Sequence, residues 1–197
     1  MENDFGSPLL HPLLAGRSSP TSFDAFYDVP DDQVEALLEA ARWSPSAGNS
    51  QPWAFIVGRR GDATHDRLVA HLAGSSATWA PTAGLLIANL AHRYVEDTGW
   101  EYSEFSLYDL GQAVAHMTLQ AQALGLSARQ FRAFNRDALT AEFVVPAHWE
   151  VTTMMAVGRA APTTAPSPTP PLASGPPRWW RDLDEILWPC RSAVMGG

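Results

Sequence analysis

The residues best placed to do chemistry lie in the stretch from Ala40 to Val57, AARWSPSAGNSQPWAFIV. A helix is expected to run into its Pro-Ser-Ala-Gly-Asn turn, and the short apolar strand Trp53 to Val57 follows at once. Ser46 and Asn49 stand where backbone amides and small side chains are least covered. Small residues let the main chain approach a flat ligand closely, and Gly48 admits dihedrals that other residues resist. The same pattern also serves as an ordinary helix-to-strand connection, so the turn by itself names no ligand. A second stretch, Gly16 to Asp24 (GRSSPTSFD), gathers hydroxyls around one Arg. A guanidinium fork among hydroxyls suits an anion, although loops of this composition are usually just solvated.

The elements that must carry these stretches follow from periodicity. Pro30-Asp31-Asp32 opens a helix, with acidic groups at the positive end of its dipole. Val34, Leu37, Leu38 and Ala41 recur at helical spacing and deliver the chain to the turn at 45–49. After the strand, residues 58–61 turn and 62–73 read as a polar surface helix. Residues 74–78 form a loop, 84–90 a second apolar strand, and 92–102 a charged, aromatic loop or short helix. The strongest element spans 104–124, where Leu110, Val114, Met117, Ala121 and Leu124 make an apolar stripe. Ser103 is its expected cap and Gly125 its stop. Residues 127–135 read as irregular, 136–143 as a short helix and 151–157 as a third strand. Residues 1–16 form a lead-in segment, and 17–159 the body. From Ala160 the composition turns to Pro, Thr, Ser and Ala without hydrophobic period, an extended arm. The apolar residues beyond that arm need a surface to bury them, and a partner subunit is the expected place.

Bulk properties narrow the function. The chain has 197 residues and a formal net charge of -8, which argues against a nucleic-acid or anionic-membrane surface. All 13 cationic side chains are Arg, so no Lys can form a Schiff base and any fixed positive charge is a guanidinium. The single Cys190 cannot make an internal disulfide. No signal-peptide pattern or membrane-length apolar run is present, so a soluble, cytoplasmic protein is expected. The six histidines show no metal-ligand spacing, so no metal is expected. His116 reads as a core or interface residue and Asp109 as a structural hydrogen-bonder.

Taken in order, the motifs resemble those of the nitroreductase-like FMN-dependent flavoprotein family. Arg17-Ser18-Ser19-Pro20-Thr21-Ser22-Phe23 resembles its N-terminal motif, and Pro45 to Trp53 its Pro-Ser-x-x-Asn-x-Gln-Pro-Trp motif. Tyr108 to Ala113 is similar to its central helix, and Gly125 to Asn135 to its second flavin loop. Arg181-Asp182-Leu183-Asp184-Glu185 is similar to its C-terminal strand. The resemblance covers about residues 15–190. It implies an α+β three-layer sandwich, a mainly antiparallel sheet flanked by helices. It also implies a homodimer in which the arm at 160–197 is swapped between subunits, with FMN at the interface. Carried over by residue, Arg17, Ser18 and Ser19 would meet the FMN phosphate and ribityl chain, with Arg181 completing the anion site. Pro45, Ser46, Ala47 and Asn49 would line the ring. Backbone groups of Gln130, Phe131, Arg132 and Ala133 would face the edge that accepts hydride. No catalytic side chain is implied, because the flavin carries the chemistry.

This sequence departs from the family at two places. Thr21 stands where a Lys or Arg usually assists the flavin, and Arg132 is the expected substitute. Ala133 stands where Gly is common, and a positive dihedral there would strain it. The implied activity is reduction of nitroaromatic- or quinone-like acceptors with NAD(P)H, by ping-pong transfer through the flavin. The alternatives are a flavin-dependent oxidase or dehydrogenase of a small molecule or peptide-derived product, and a non-catalytic flavin binder. Trp100 and Tyr102, in the middle loop, are candidates to cover a substrate pocket.

Overall fold

The computed structural model describes residues 9–161 and 180–188. Contacts divide the chain into two units, residues 1–164 and 165–197. The first unit carries a four-stranded sheet: β1 (Trp53–Arg59), β2 (Leu85–His92), β3 (Ser127–Phe131) and β4 (Trp149–Gly158). Their order is β1-β2-β4-β3, and every neighbouring pair is antiparallel. Short α1 (Pro12–Gly16) precedes α2 (Asp31–Arg42); α3 (Ala63–Ala70), α4 (Ser106–Ala123) and α5 (Arg136–Glu142) follow in turn.

The helices cover the sheet on both faces. On one face Leu37 and Ala41 of α2, with Leu110, Ala113, Met117 and Ala121 of α4, pack on Leu85, Ile87, Met155 and Val157. On the other, Leu68 of α3 and Leu139 of α5 pack on Leu86, Ala88, Met154 and Ala156. Alternate residues of β2 and β4 thus serve opposite cores, which is why LLIANLAH is apolar almost throughout. The expected α+β three-layer sandwich with an antiparallel sheet is the fold observed.

Four local expectations are corrected. Residues 127–131, read as irregular, form β3, paired with β4 from Ser127↔Gly158 to Phe131↔Met154. Gly58, read as a turn residue, lies inside β1, which runs on to Arg59. The α4 helix begins at Ser106 behind Phe105, and no side chain caps it. Ser103 stands further back, accepting the Phe105 N–H on its hydroxyl at 3.2 Å. Leu183–Ile186, expected as a strand, is a single helical turn, α6. The arm at 162–179 lies outside the described residues. Gly125 does end α4, in a left-handed conformation (φ 72°), with Leu126 N–H closing back on the Ala121 carbonyl at 2.8 Å.

His65, on α3, gives the fold a pH dependence. Its ring is buried and Nε2 has no hydrogen-bond partner among the described residues, and burial lowers its pKa below the ordinary 6.5 despite Asp62 and Asp66 nearby. As pH falls, the unfolded chain takes up the proton first. The stability that neutral His65 contributes is therefore present above about pH 6.5 and lost below it. Thermal unfolding is expected at lower temperature at about pH 5.5 than at about pH 7.5. His65→Gln should flatten that slope, in part only, because burial also lowers His92.

Candidate functional site

The turn after α2 is held in an unusual backbone. Ala47–Asn49 form one turn of 3-10 helix in which Gly48 has φ 59°, and Asn49 and Gln51 also have positive φ, 56° and 48°. Asn tolerates this region, while a Gln there costs on the order of 1 kcal/mol. The conformation persists because it is pinned from several directions. Asn49 N–H donates to the Ser46 carbonyl at 3.0 Å, and Gln51 N–H to Ser46 Oγ at 3.0 Å. From α4, Asp109 Oδ2 accepts the Ala47 N–H at 3.0 Å. Asp109 is 2% exposed and its Oδ1 also accepts from Gln112 Nε2 at 3.3 Å. The expectation that Asp109 is a structural hydrogen-bonder thus acquires a specific object, the turn itself.

Two further contacts brace the same region. His116 Nδ1 lies 2.7 Å from the hydroxyl of buried Ser44, just before the turn. Tyr102 donates its hydroxyl to the Ser50 carbonyl at 3.1 Å and stacks on His92 at 3.8 Å. Trp100 is 77% exposed in the same loop. Ser50 Oγ is buried without a hydrogen-bond partner among the described residues. Pro45, Ala47 and Asn49 are exposed and Ser46 partly so, leaving the turn's outer surface open.

The second group of residues gathers elsewhere on α4. A cleft of about 600 Å³ is bounded by Leu14 and Arg17, by Leu107, Gly111 and Ala115 of α4, and by Gln130, Thr152 and Thr153. Gln130 Nε2 is held by Thr118 Oγ1 on α4. Arg17 donates to Ser19 Oγ at 3.0 Å and has no carboxylate partner among the described residues. Ser18 is partly buried, and Thr21 is exposed in a bend. The loop is closed behind them by the bridge Phe23↔Ala160 and the Asp24 N–H to Arg159 carbonyl bond at 2.9 Å. The turn at 45–49 does not line this cleft; α4 holds it through Asp109. Arg181 belongs to the second unit.

The end of β3 holds Ala133, where the sequence departs from the family pattern, and Arg132, the expected substitute for the cation missing at Thr21. Gln130 and Phe131 stand opposite Met155 and Met154 of β4, on an edge strand where alternate residues turn their main-chain groups to the partner. The next residues leave the strand, and the amides of Arg132 and Ala133 have no acceptor among the described residues. Ala133 is not among the residues with positive φ, so Ala is unstrained there. Its carbonyl accepts from Ala73 N–H at 3.0 Å and from the Ser76 hydroxyl. Arg132 lies over the Phe134 ring at 4.7 Å and donates to the Phe134 carbonyl at 3.3 Å. Arg129, which sequence reasoning passed over, instead reaches the loop at 17–21, donating to the Ser19 carbonyl at 2.6 Å. Its partner lies 110 positions away, so no local signal could have found it.

Comparison with known proteins follows the same lines. The model of the nitroreductase family matches residues 14–78. The oxygen-insensitive NADPH nitroreductase of Helicobacter pylori is 42% identical over 45 residues, 23% of this chain and 21% of its own length. That of Helicobacter acinonychis matches to the same extent. The match thus spans about a fifth of the length of these curated relatives. Among solved structures, an oxidoreductase containing FMN superposes with a TM-score of 0.75 at 26% identity, covering 82% of this chain and 84% of that one. A nitroreductase family protein from Streptococcus pneumoniae superposes with a TM-score of 0.70 at 19% identity, covering 90% and 98%, a likeness of fold.

Proposed function

We propose that the chain, whose fold and whose residues 14–78 resemble those of the nitroreductase family, is an FMN-dependent oxidoreductase. It would reduce nitroaromatic- or quinone-like acceptors with NAD(P)H, both substrates using one slot in ping-pong sequence. The observation that carries this reading is the pairing of an unneutralised guanidinium with a strained, open turn. Arg17 donates to the Ser19 hydroxyl, next to Ser18, without a carboxylate partner among the described residues, a donor set suited to a phosphoester and a polyol chain. The turn at 45–49 offers small, exposed residues in a conformation kept at a cost, as functional backbone often is. The residues therefore fit the group.

When bound, FMN supplies the hydride acceptor and donor. The chain's own part is placement. Arg17, Ser18 and Ser19 would hold the phosphate end. Pro45, Ser46, Ala47 and Asn49 would lie along the ring. The amides of Arg132 and Ala133, which have no acceptor among the described residues, would donate to the ring edge where negative charge develops. Preorganised backbone donors are effective there because they need not reorient. No side chain of this set is an acid or base in reach of a substrate, so no proton relay is invoked.

A homodimer is part of this proposal. Leu107 and Tyr108 are 43% and 69% exposed on α4, beside exposed Gly111 and Ala115, an apolar stripe that a second copy would cover. Among the described residues no helix is long and apolar enough to cross a membrane.

The test is the visible spectrum of the purified protein with FMN added. Bands near about 370 and 450 nm that stay with the protein through gel filtration and bleach with NAD(P)H are expected. A protein that ignores FMN would overturn the assignment. Bound FMN that NAD(P)H leaves oxidised would favour the oxidase reading.

A further inference from the structure

The geometry points to Arg129 as the second cation of the loop at 17–21, a phosphate ligand that takes over charge missing at Thr21; this rests on the FMN reading above. The argument begins with strand alternation. On β3, Ala128 and Gln130 face α4, so Arg129 and Phe131 face the opposite side of the sheet. There the Arg129 guanidinium lies 5.2 Å from the centre of the Trp79 ring, which itself packs against Phe23 and Phe131. The strand lies at the edge of the sheet, and the 17–21 loop passes that edge. Ser19 is consequently gripped twice, Arg17 donating to its hydroxyl at 3.0 Å and Arg129 to its carbonyl at 2.6 Å.

What makes this more than a loop tether is the charge left over. Six of the described arginines, Arg42, Arg59, Arg60, Arg67, Arg93 and Arg136, have carboxylate partners. Arg17, Arg129, Arg132, Arg159 and Arg181 have none among the described residues, and of these Arg17 and Arg129 meet at one serine. Arg129 Nε is in addition buried without an acceptor among the described residues. An aromatic face stabilises a guanidinium without neutralising it. Two like charges drawn to one residue repel each other, and an uncompensated, partly buried cation is costly. A phosphomonoester near Ser19 would relieve both, since each guanidinium can still donate several N–H groups. Arg132 makes the same kinds of contact, over the Phe134 ring and to the Phe134 carbonyl, but none of its contacts among the described residues is to the loop at 17–21.

The test compares FMN with riboflavin, which lacks the phosphate, by flavin fluorescence quenching on the apoprotein. The variants are Arg129→Gln, which can still donate to the Ser19 carbonyl but is neutral, and Arg129→Lys, which keeps the charge. Arg129→Gln is expected to weaken FMN binding by about ten- to a hundredfold. Riboflavin binding should change by less than about threefold, and Arg129→Lys should recover most of the FMN affinity. Equal losses for both ligands, or none, would overturn the phosphate role and leave a structural one. A shift in flavin midpoint potential without loss of discrimination would overturn it in favour of a role at the ring. Wild-type protein that binds neither ligand would overturn this inference together with the FMN reading. Wild-type protein that prefers FMN, with Arg129→Gln unchanged, would overturn this inference alone.

Discussion

Replacing Gly58 by Ala is expected to lower the unfolding free energy by about 3 kcal/mol, at the upper end of what overpacking costs. A Cβ built there would lie 2.6 Å from both the Cα and the N of His65, and 3.0 Å from Leu68 Cδ1. The first two atoms are backbone, so α3 would have to move off β1 as a body. Leu68, fully buried in the second core, would move with it. A glycine inside a strand commonly marks such a close backbone approach. Gly48→Ala is the contrast: a Cβ there meets nothing within 4 Å, but φ is +59°. It should cost about 1 kcal/mol, from backbone conformation alone. Urea denaturation separates the two through the shift in midpoint at constant slope. Similar midpoints for both variants would mean that α3 can shift freely.

Asp109→Ala is the second substitution with a large expected effect. The carboxyl group is almost wholly buried and accepts from Ala47 N–H and Gln112 Nε2. Its removal leaves the Ala47 amide without its partner and opens space beneath the turn. A donor stranded in this way costs about 1–3 kcal/mol. Because the donor belongs to the turn proposed to line the flavin, the loss should be felt there first. Hydrogen exchange of the Ala47 amide in the apoprotein should lose protection in Asp109→Ala, and FMN affinity should fall with it. Asp109→Asn retains a carbonyl oxygen for Ala47 and should keep most of both. Unchanged protection at Ala47 in Asp109→Ala would show that the turn is held by its own bonds, Asn49 to Ser46 and Gln51 to Ser46.

Much of this protein is determined by its sequence without reference to distant contacts. The α2 and α4 helices carry apolar stripes at helical period. Asp31 and Asp32 suit the first turn of α2, and Gly125 ends α4 in the left-handed backbone that glycine favours. The β2 run is apolar almost throughout because both its faces are covered, and a buried strand needs no more than that to be read. The turn at 45–49 was equally legible, since Pro, Gly and Asn are chosen by local dihedrals. Tertiary structure decided the rest. In Ser127–Phe131, Gln130 points to the α4 side and Arg129 to the other, so polar groups on both faces erase the period-2 signal. It is pairing with β4 that makes the segment a strand. Asp109 meets Ala47 across 62 positions and Arg129 meets Ser19 across 110. Hydrogen-bond partners so far apart leave no mark on local composition or spacing. Only the folded chain, by closing those loops, shows which polar side chain holds the turn and which guanidinium reaches the loop.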